Sequence, residues 1–229
     1  MARYVDTFSS HAPGTGTARH ASTDIVNPDD PSAKPPAVRH IVVALAPGSR
    51  MDTTAVTQCE ASDPQLVAQG TAACPRESIL GQGEVDVDTG FPDPNRYLYN
   101  DFFFINAPGQ LILLARNRST GANVPVRGKV EGNTLDVSLP PLPGTPPDGG
   151  ADTFEIINMA DASSVRDGRR VHYLTTPPSC PASGVWTNRV TDTFADGVTQ
   201  SFTATTPCDR PAAAQPRHEA RRHRRHLRR

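Results

Sequence analysis

Four cysteines are the residues of this chain whose type and spacing bear most directly on chemistry: Cys59, Cys74, Cys180 and Cys208. Cysteines bind metals, act as redox groups or form disulfides. Structural zinc sites use pairs of cysteines separated by roughly two to four residues, and no two cysteines here are nearer than fifteen positions. This spacing argues against a metal site and favours disulfide bonds, with free buried thiols as the other alternative.

Four cysteines permit three pairings, and sequence alone does not select one. Proximity in the chain favours Cys59–Cys74 and Cys180–Cys208. In the chain-entropy treatment, closing loops of about 16 and 29 residues contributes roughly 3–4 kcal/mol each. Disulfides persist in oxidising compartments, so these pairs predict an extracellular or cell-envelope protein. Residues 1–37 carry no basic-then-apolar signal pattern, and a chain that truly starts at Met1 would instead be expected in the cytoplasm.

The triplet Asp88-Thr89-Gly90 is similar to the catalytic triplet of aspartic proteases. That chemistry needs two carboxylates that share one proton, and a second copy is missing because Asp192-Thr193 is followed by Phe194. The triplet therefore predicts a strand that ends in a turn. Together with Asp86 it also partly matches a calcium loop, but the glutamate that closes such a loop is absent. Adventitious calcium, here or at Asp29-Asp30, is the weaker alternative.

Nucleophilic catalysis has little support in the sequence. No G-x-S-x-G elbow is present, and His40 and His172 fall within predicted strands, where a half-buried structural histidine is the commoner case. The glycine pairs Gly81-x-Gly83 and Gly14-x-Gly16 lack a phosphate-loop continuation and are predicted to lie in turns. We expect no catalytic residue, no cofactor and no metal ligand, with a hydrolase whose site is spread over loops as the alternative.

The main aromatic cluster is Phe102-Phe103-Phe104. Consecutive residues of a strand point to opposite faces, so Phe103 must face away from its two neighbours. A central strand with two buried faces explains this pattern, and an aromatic surface exposed to a ligand is the alternative. Trp186 is expected to pack in the core beside the second cysteine pair, as in other disulfide-linked sandwiches.

The net charge of −1 hides an asymmetry. Residues 210–229 hold eight arginines against Glu219, a net charge of +7, which leaves −8 on the rest of the chain. Such a block cannot bury itself, so residues 209–229 are predicted to be a disordered Arg/His-rich tail that contacts an anionic envelope polymer or serves solubility. No aromatic residue is interleaved with its arginines, which argues against specific nucleic-acid binding. The arginines proposed for polymer contact are Arg221, Arg222, Arg224, Arg225, Arg228 and Arg229.

The elements that must position these residues are mostly short strands. The chain has 229 residues, is 36% hydrophobic and contains 23 prolines, which together with glycines bracket nearly every apolar run. Nine or ten apolar or alternating segments recur at a spacing of about 8–15 residues, which favours antiparallel strands. One helix signal stands out: Ser62-Asp63-Pro64-Gln65 is a capping pattern that predicts a helix over about residues 63–69, with Gly70 at its end.

We therefore predict an all-β fold, a two-sheet antiparallel β-sandwich of Ig-like or jelly-roll-like type, with one short helix and flexible N- and C-terminal tails. The disulfide-linked sandwich domain would span residues 38–208. Residues 1–37 are rich in Ser, Thr, Pro, Gly and Asp and predict an extended, disordered arm. No stretch approaches the ~18 apolar residues of a membrane span.

Three segments carry a resemblance to known proteins: Cys74-Pro75-x-x-Ser78-Ile79-x-Gly81, Thr175-Thr176-Pro177-x-x-Cys180-Pro181-x-x-Gly184-x-Trp186 and Pro207-Cys208. They resemble the "CPxxSxxGxG" and "TTPxxCPxxGxW" motifs of a group of uncharacterised secreted actinobacterial proteins. The resemblance covers residues 38–208. It implies a secreted β-sandwich, and it brings no activity with it. We therefore expect a non-catalytic structural or binding protein of the actinobacterial cell envelope or medium.

Overall fold

A computed structural model of the chain describes residues 2–27 and 29–209. This part of the chain is mostly strand with one short α-helix, so the all-β prediction is confirmed. The helix α1 is Asp63–Gln69, followed by 3₁₀ turns at Gly70–Ala73 and Arg76–Ser78. The strands are β1 (Ala2–Phe8), β2 (Arg19–Ile25), β3 (Val38–Ala44), β4 (Arg50–Met51), β5 (Ile79–Asp88), β6 (Tyr97–Ala107), β7 (Gln110–Asn117), β8 (Asn123–Glu131), β9 (Thr134–Ser138), β10 (Ala151–Met159), β11 (Ser163–Arg166), β12 (Arg169–His172), β13 (Leu174–Thr175), β14 (Val185–Phe194) and β15 (Thr199–Pro207).

Eleven of these strands form one antiparallel sheet in the order β1-β2-β10-β5-β6-β7-β8-β9-β3-β14-β15. Its two edge strands lie side by side, because the Phe8 amide in β1 donates to Thr206 Oγ1 in β15 at 3.1 Å. The sheet is therefore nearly closed on itself and barrel-like. The two-sheet sandwich is not confirmed, since strands expected in two facing sheets are neighbours in one. Alternation of apolar and polar residues shows which face of each strand points inward. It does not show whether the strands belong to one sheet or to two.

The prediction of a disordered arm over residues 1–37 is wrong for its first two thirds. Residues 2–8 and 19–25 form β1 and β2, paired with each other along their whole length, and β2 continues the sheet onto β10. Alternate positions of these strands carry Tyr4, Asp6 and Arg19 where a strand facing a core usually has aliphatic residues. The alternating apolar pattern of a strand is therefore absent from the sequences of β1 and β2. Both strands are nevertheless needed to bring the sheet close to closure.

Buried residues line both faces of the sheet along β6 and β7. On the inside, the rings of Phe102 and Phe104 meet edge-on with centroids 4.9 Å apart in the main core. On the outside, Phe103 packs against a second apolar cluster that contains Leu66 of α1 and Cys59. The prediction that Phe103 faces away from its neighbours is confirmed, and α1 is the element that covers the outer face.

The helix α1 has the bounds that its capping pattern predicts. The Ser62 amide donates to Gln65 Oε1 at 2.9 Å, and Gly70 ends the helix with a φ of 59°, a conformation that favours glycine. Arg127 of β8 fixes the start of the helix, with Nε donating to Asp63 Oδ1 at 2.7 Å. Across residues 2–27 and 29–209, no helix is long and apolar enough to span a membrane.

Gly81 and Gly83 lie within β5, not in a turn as predicted. A Cβ atom on Gly83 would lie 1.7 Å from the carbonyl oxygen of Ile156 in β10, and one on Gly81 would lie 2.0 Å from that of Asn158. Only glycine allows β5 and β10 to approach this closely at these positions. The pair therefore sets the position of β10 in the sheet.

Candidate functional site

The four cysteines form two disulfides, Cys59–Cys74 with Cα atoms 5.1 Å apart and Cys180–Cys208 with Cα atoms 5.7 Å apart. These are the pairs that proximity favours. The first bond holds the α1 segment against the outer face of β6 and β7. The second joins the end of β15 to the segment before β14, in the core cluster that also contains Trp186. The described part of the chain has no free cysteine, so its cysteines stabilise the fold.

Asp88-Thr89-Gly90 forms the turn that ends β5, as predicted. The buried Asp88 carboxylate accepts hydrogen bonds from Arg96 Nε and Nη2 at 3.1 and 3.0 Å and from the Gly90 amide at 2.8 Å. Thr89 Oγ1 donates to the Asn95 carbonyl at 2.8 Å. These bonds commit the carboxylate to holding a loop. Within residues 2–27 and 29–209, no group of three or more His, Cys, Asp or Glu side chains is placed to hold a metal ion.

His40 and His172 each pair with a surface carboxylate. His40 Nε2 lies 2.8 Å from Asp136 Oδ1, and His172 Nδ1 lies 2.7 Å from Asp161 Oδ1. Both rings are partly exposed and are oriented by one acidic partner, which is a structural role. The arginines of the predicted basic tail lie outside the described residues, and their polymer contacts stay a prediction.

The interior of the barrel-like sheet contains charged residues that the sequence did not single out. Arg19 on β2 donates from Nε and Nη2 to the two carboxylate oxygens of Asp6 on β1, at 2.9 and 3.0 Å. Tyr4 Oη donates to the same carboxylate at 2.6 Å. Asp6 and Arg19 are both buried, and the two-point geometry satisfies both charged groups. This pair is therefore neutral as a unit.

Three more carboxyl groups line the same interior: Asp152 and Glu155 on β10, and Asp192 on β14. Asp192 has only 4% of its surface exposed. None of the hydrogen bonds or ion pairs of the described residues involves these three side chains. Asp152 and Glu155 are partly accessible, and both line the same cavity as Asp192. The three groups line one cavity, because β15, β1 and β2 lie between β14 and β10 around the barrel-like sheet.

Burial raises the pKa of each of these carboxyl groups. It raises the pKa of Asp192 to about 6, and burial followed by the charge of Asp192 raises the pKa of Asp152 to about 6. Burial, then the charge of Asp152, raises the pKa of Glu155 to about 8, although Arg19 opposes the change. The mutual repulsion means that the groups are close enough to interact. Ionisation of all three groups at once is therefore unfavourable.

The carboxyl groups and Arg19 line a cavity of about 60 Å³, measured as the space open to the centre of a water molecule. One water needs about 10–15 Å³ of such space, so the cavity has room for about four to six. The remaining wall is largely apolar, and its side chains include Phe104, Leu111, Leu113, Leu135, Val137 and Val190. The cavity is therefore amphipathic, with an acidic cluster set against hydrocarbon.

Sequence reasoning missed this cluster because its members look like surface residues. Asp6 and Arg19 fall in the segment that was predicted to be an arm, and Asp152 lies at the start of β10, beside a loop. One signal was readable: Asp192 continues the period-2 row of buried residues that runs through Trp186, Asn188, Val190 and Phe194 along β14.

No known protein family matches this chain, and no curated protein matches it. The resemblance of the cysteine motifs to secreted actinobacterial proteins therefore stays a prediction. What the interior site can bind has to be worked out from its own geometry, size and charge.

Proposed function

We propose that this chain is a non-catalytic, exported binding protein whose ligand occupies the cavity inside the barrel-like sheet. The observation that carries this proposal is Asp192, whose carboxyl group is almost wholly buried, has no partner among the described residues and lines a cavity with two more carboxyl groups. An unpaired buried carboxylate costs the fold stability unless a proton or a bound group satisfies it. A fold that gathers three such groups around one cavity is suited to binding a complementary molecule there.

Two features support export. The two disulfides are consistent with an oxidising, extracellular compartment, and the resemblance of the Cys-Pro motifs supports the actinobacterial envelope or medium. Thiol alkylation of the protein from its native host, before and after reduction, tests this part. We expect protein in the envelope or medium with all four cysteines blocked until reduction. Freely alkylated thiols in a cytoplasmic pool would refute export.

A hydrolase is the main alternative, since paired carboxyl groups with separated pKa values are what glycoside hydrolases use. Size favours binding over catalysis. A space for about four to six waters is too small for two linked sugar rings or a peptide. The three carboxyl groups also lie on β10 and β14 inside the sheet, whereas the sequence-based alternative places a catalytic site on loops.

The binding proposal can be tested by thermal unfolding of the full chain with a set of small charged and neutral molecules. Thr23 on β2 lines the cavity, so Thr23→Phe should fill it, and Ala21→Leu is a smaller block on the same wall if the first variant does not fold. Ser22→Phe, on the opposite face of the same strand, is the matched control. We expect ligands to stabilise the wild type and Ser22→Phe but not Thr23→Phe. Stabilisation that persists in Thr23→Phe would place the ligand elsewhere and refute the proposal.

A further inference from the structure

We infer that the ligand of this cavity is a small organic cation, a primary ammonium group on a short hydrocarbon chain, bound in the part of the cavity that Asp192, Asp152 and Glu155 line. The inference rests on the proposed function, because it names the ligand class of the same cavity. It follows from four properties of the cavity: its charge, its hydrogen-bonding capacity, its apolar wall and its size.

Charge selects a cation. Arg19 is the only basic residue among those that line the cavity, and Asp6 already accepts two of its hydrogen bonds. Arg19 lowers the pKa of Glu155, but no basic residue does so for Asp152 or Asp192, so these two aspartates have no counter-ion within the described lining. An anionic ligand would add to their repulsion and a neutral one would leave it in place, whereas a cation removes it.

Hydrogen bonding selects a primary ammonium group. Ionised carboxylates accept hydrogen bonds and donate none, and no hydrogen bond of the described residues reaches the side chains of Asp152 and Asp192. A primary ammonium group supplies N–H donors to ionised aspartates, and hydrogen bonds between charged partners are the stronger class. A quaternary ammonium group has the charge without the donors.

The apolar wall favours an organic cation over a metal ion. The described residues contain no set of three or more acidic, histidine or cysteine side chains placed to hold a metal ion. The carboxyl groups therefore surround the cavity without converging on one coordination point. Phe104, Leu113 and Val137 in the wall cannot replace the water shell of a metal ion, but they can bury the methylene groups of an alkyl chain.

Size limits that chain. If each non-hydrogen atom of the ligand occupies about the space of one water, a cavity for about four to six waters admits about four to six such atoms. n-Butylammonium, with five non-hydrogen atoms, is therefore a suitable probe. n-Butanol is its neutral counterpart, n-butyrate its anionic one and tetramethylammonium its quaternary one.

Binding should also displace a proton. Glu155 is protonated near neutral pH because burial and Asp152 raise its pKa to about 8, and an ammonium group beside it favours the ionised form. The heat of binding should then depend on the ionisation enthalpy of the buffer. The charged and titratable groups that line the cavity with Glu155 or contact that lining are Asp152, Asp192, Arg19, Asp6 and Tyr4.

Isothermal titration calorimetry of the full, disulfide-intact chain tests the inference with these four probes in two buffers. We expect n-butylammonium to bind about tenfold to 100-fold more tightly than n-butanol, as hydrogen bonds to charged groups imply. Asp192→Asn should remove most of that preference. Asp93→Asn, at an exposed loop position, is the matched control and should keep it. If Asp192→Asn does not fold by circular dichroism, Glu155→Gln gives the same comparison.

The outcomes separate the inference from the proposed function. If n-butanol binds as tightly as n-butylammonium and Thr23→Phe blocks both, the cation inference is overturned while the cavity remains a ligand site. If tetramethylammonium binds as tightly as n-butylammonium, the assignment of a primary ammonium group is overturned. If every probe and every member of the wider set that binds the wild type also binds Thr23→Phe, the proposed function itself fails.

Discussion

Replacing Asp192 by asparagine should stabilise the unliganded protein at neutral pH and leave its stability unchanged in acid. Asparagine keeps the size and shape of the side chain and removes its ability to ionise. Since Asp192 is buried and has no cation or donor beside it among the described residues, its ionised form opposes folding. Most substitutions of buried polar residues destabilise a protein. An increase in the free energy of unfolding of Asp192→Asn would therefore show that the ionised carboxylate opposes folding.

The size of the effect follows from the pKa of Asp192, which is 3.8 when the side chain is exposed and about 6 in the fold. Below pH about 4 the group is protonated in both states and does not oppose folding. As the pH rises from about 4 to about 6, the unfolded chain loses its proton first, so the wild type loses stability. Above pH about 6 the loss is complete, and a pKa difference of about 2 corresponds to about 3 kcal/mol.

The assay is urea unfolding at several pH values between 4 and 8, followed by the fluorescence of Trp186, the only tryptophan. We expect the free energy of unfolding of Asp192→Asn to equal that of the wild type near pH 4 and to exceed it by about 3 kcal/mol near pH 8. Asp93→Asn should track the wild type throughout. The charge of Asp192 also raises the pKa values of Asp152 and Glu155, so its removal should add to this gain.

Two results would refute this reasoning. A difference that does not change with pH would mean that Asp192 does not titrate differently in the folded and unfolded states. Destabilisation of Asp192→Asn near pH 8 would mean that the carboxylate has a favourable partner in the fold, which would remove the basis of the binding proposal as well.

Three further predictions concern the scaffold around the cavity. Replacing both Cys59 and Cys74 by serine should lower the free energy of unfolding by about 3 kcal/mol, because the bond closes a loop with a separation of 15 residues; unchanged urea unfolding would contradict this. Gly83→Ala should destabilise the domain by about 3 kcal/mol or more, since its Cβ would lie 1.7 Å from a carbonyl oxygen of β10, and a wild-type melting curve would count against the close approach of β5 and β10. Asp6→Ala should cost about 3–5 kcal/mol because it leaves Arg19 buried and unpaired, and adding Arg19→Met should recover part of that loss; no recovery would contradict the ion-pair interpretation.

Features that depend on neighbouring residues were predictable from the sequence. The bounds of α1 follow from the capping pattern at Ser62 and Gln65 and from Gly70. The opposite orientations of Phe103 and Phe104 follow from the geometry of any strand. In each case the deciding interaction joins residues a few positions apart, so no knowledge of the rest of the fold is needed.

The disulfides belong to an intermediate class. Proximity favoured the pairs Cys59–Cys74 and Cys180–Cys208 over the other two pairings, but it did not select them. The structure brings each pair within bonding distance because α1 folds over the outer face of β6 and β7 and because β15 returns beside β14.

The near closure of the sheet and its charged interior could not be predicted from the sequence. Asp6 and Arg19 made β1 and β2 look like an exposed arm, because burial of a charged side chain is unfavourable unless its partner is buried with it. That partner lies on the adjacent strand, and Asp192 meets Asp152 only when β15, β1 and β2 bridge β14 to β10. The alternation along a strand determines the face of the sheet to which a side chain points. The packing of the whole chain determines which residues surround it on that face.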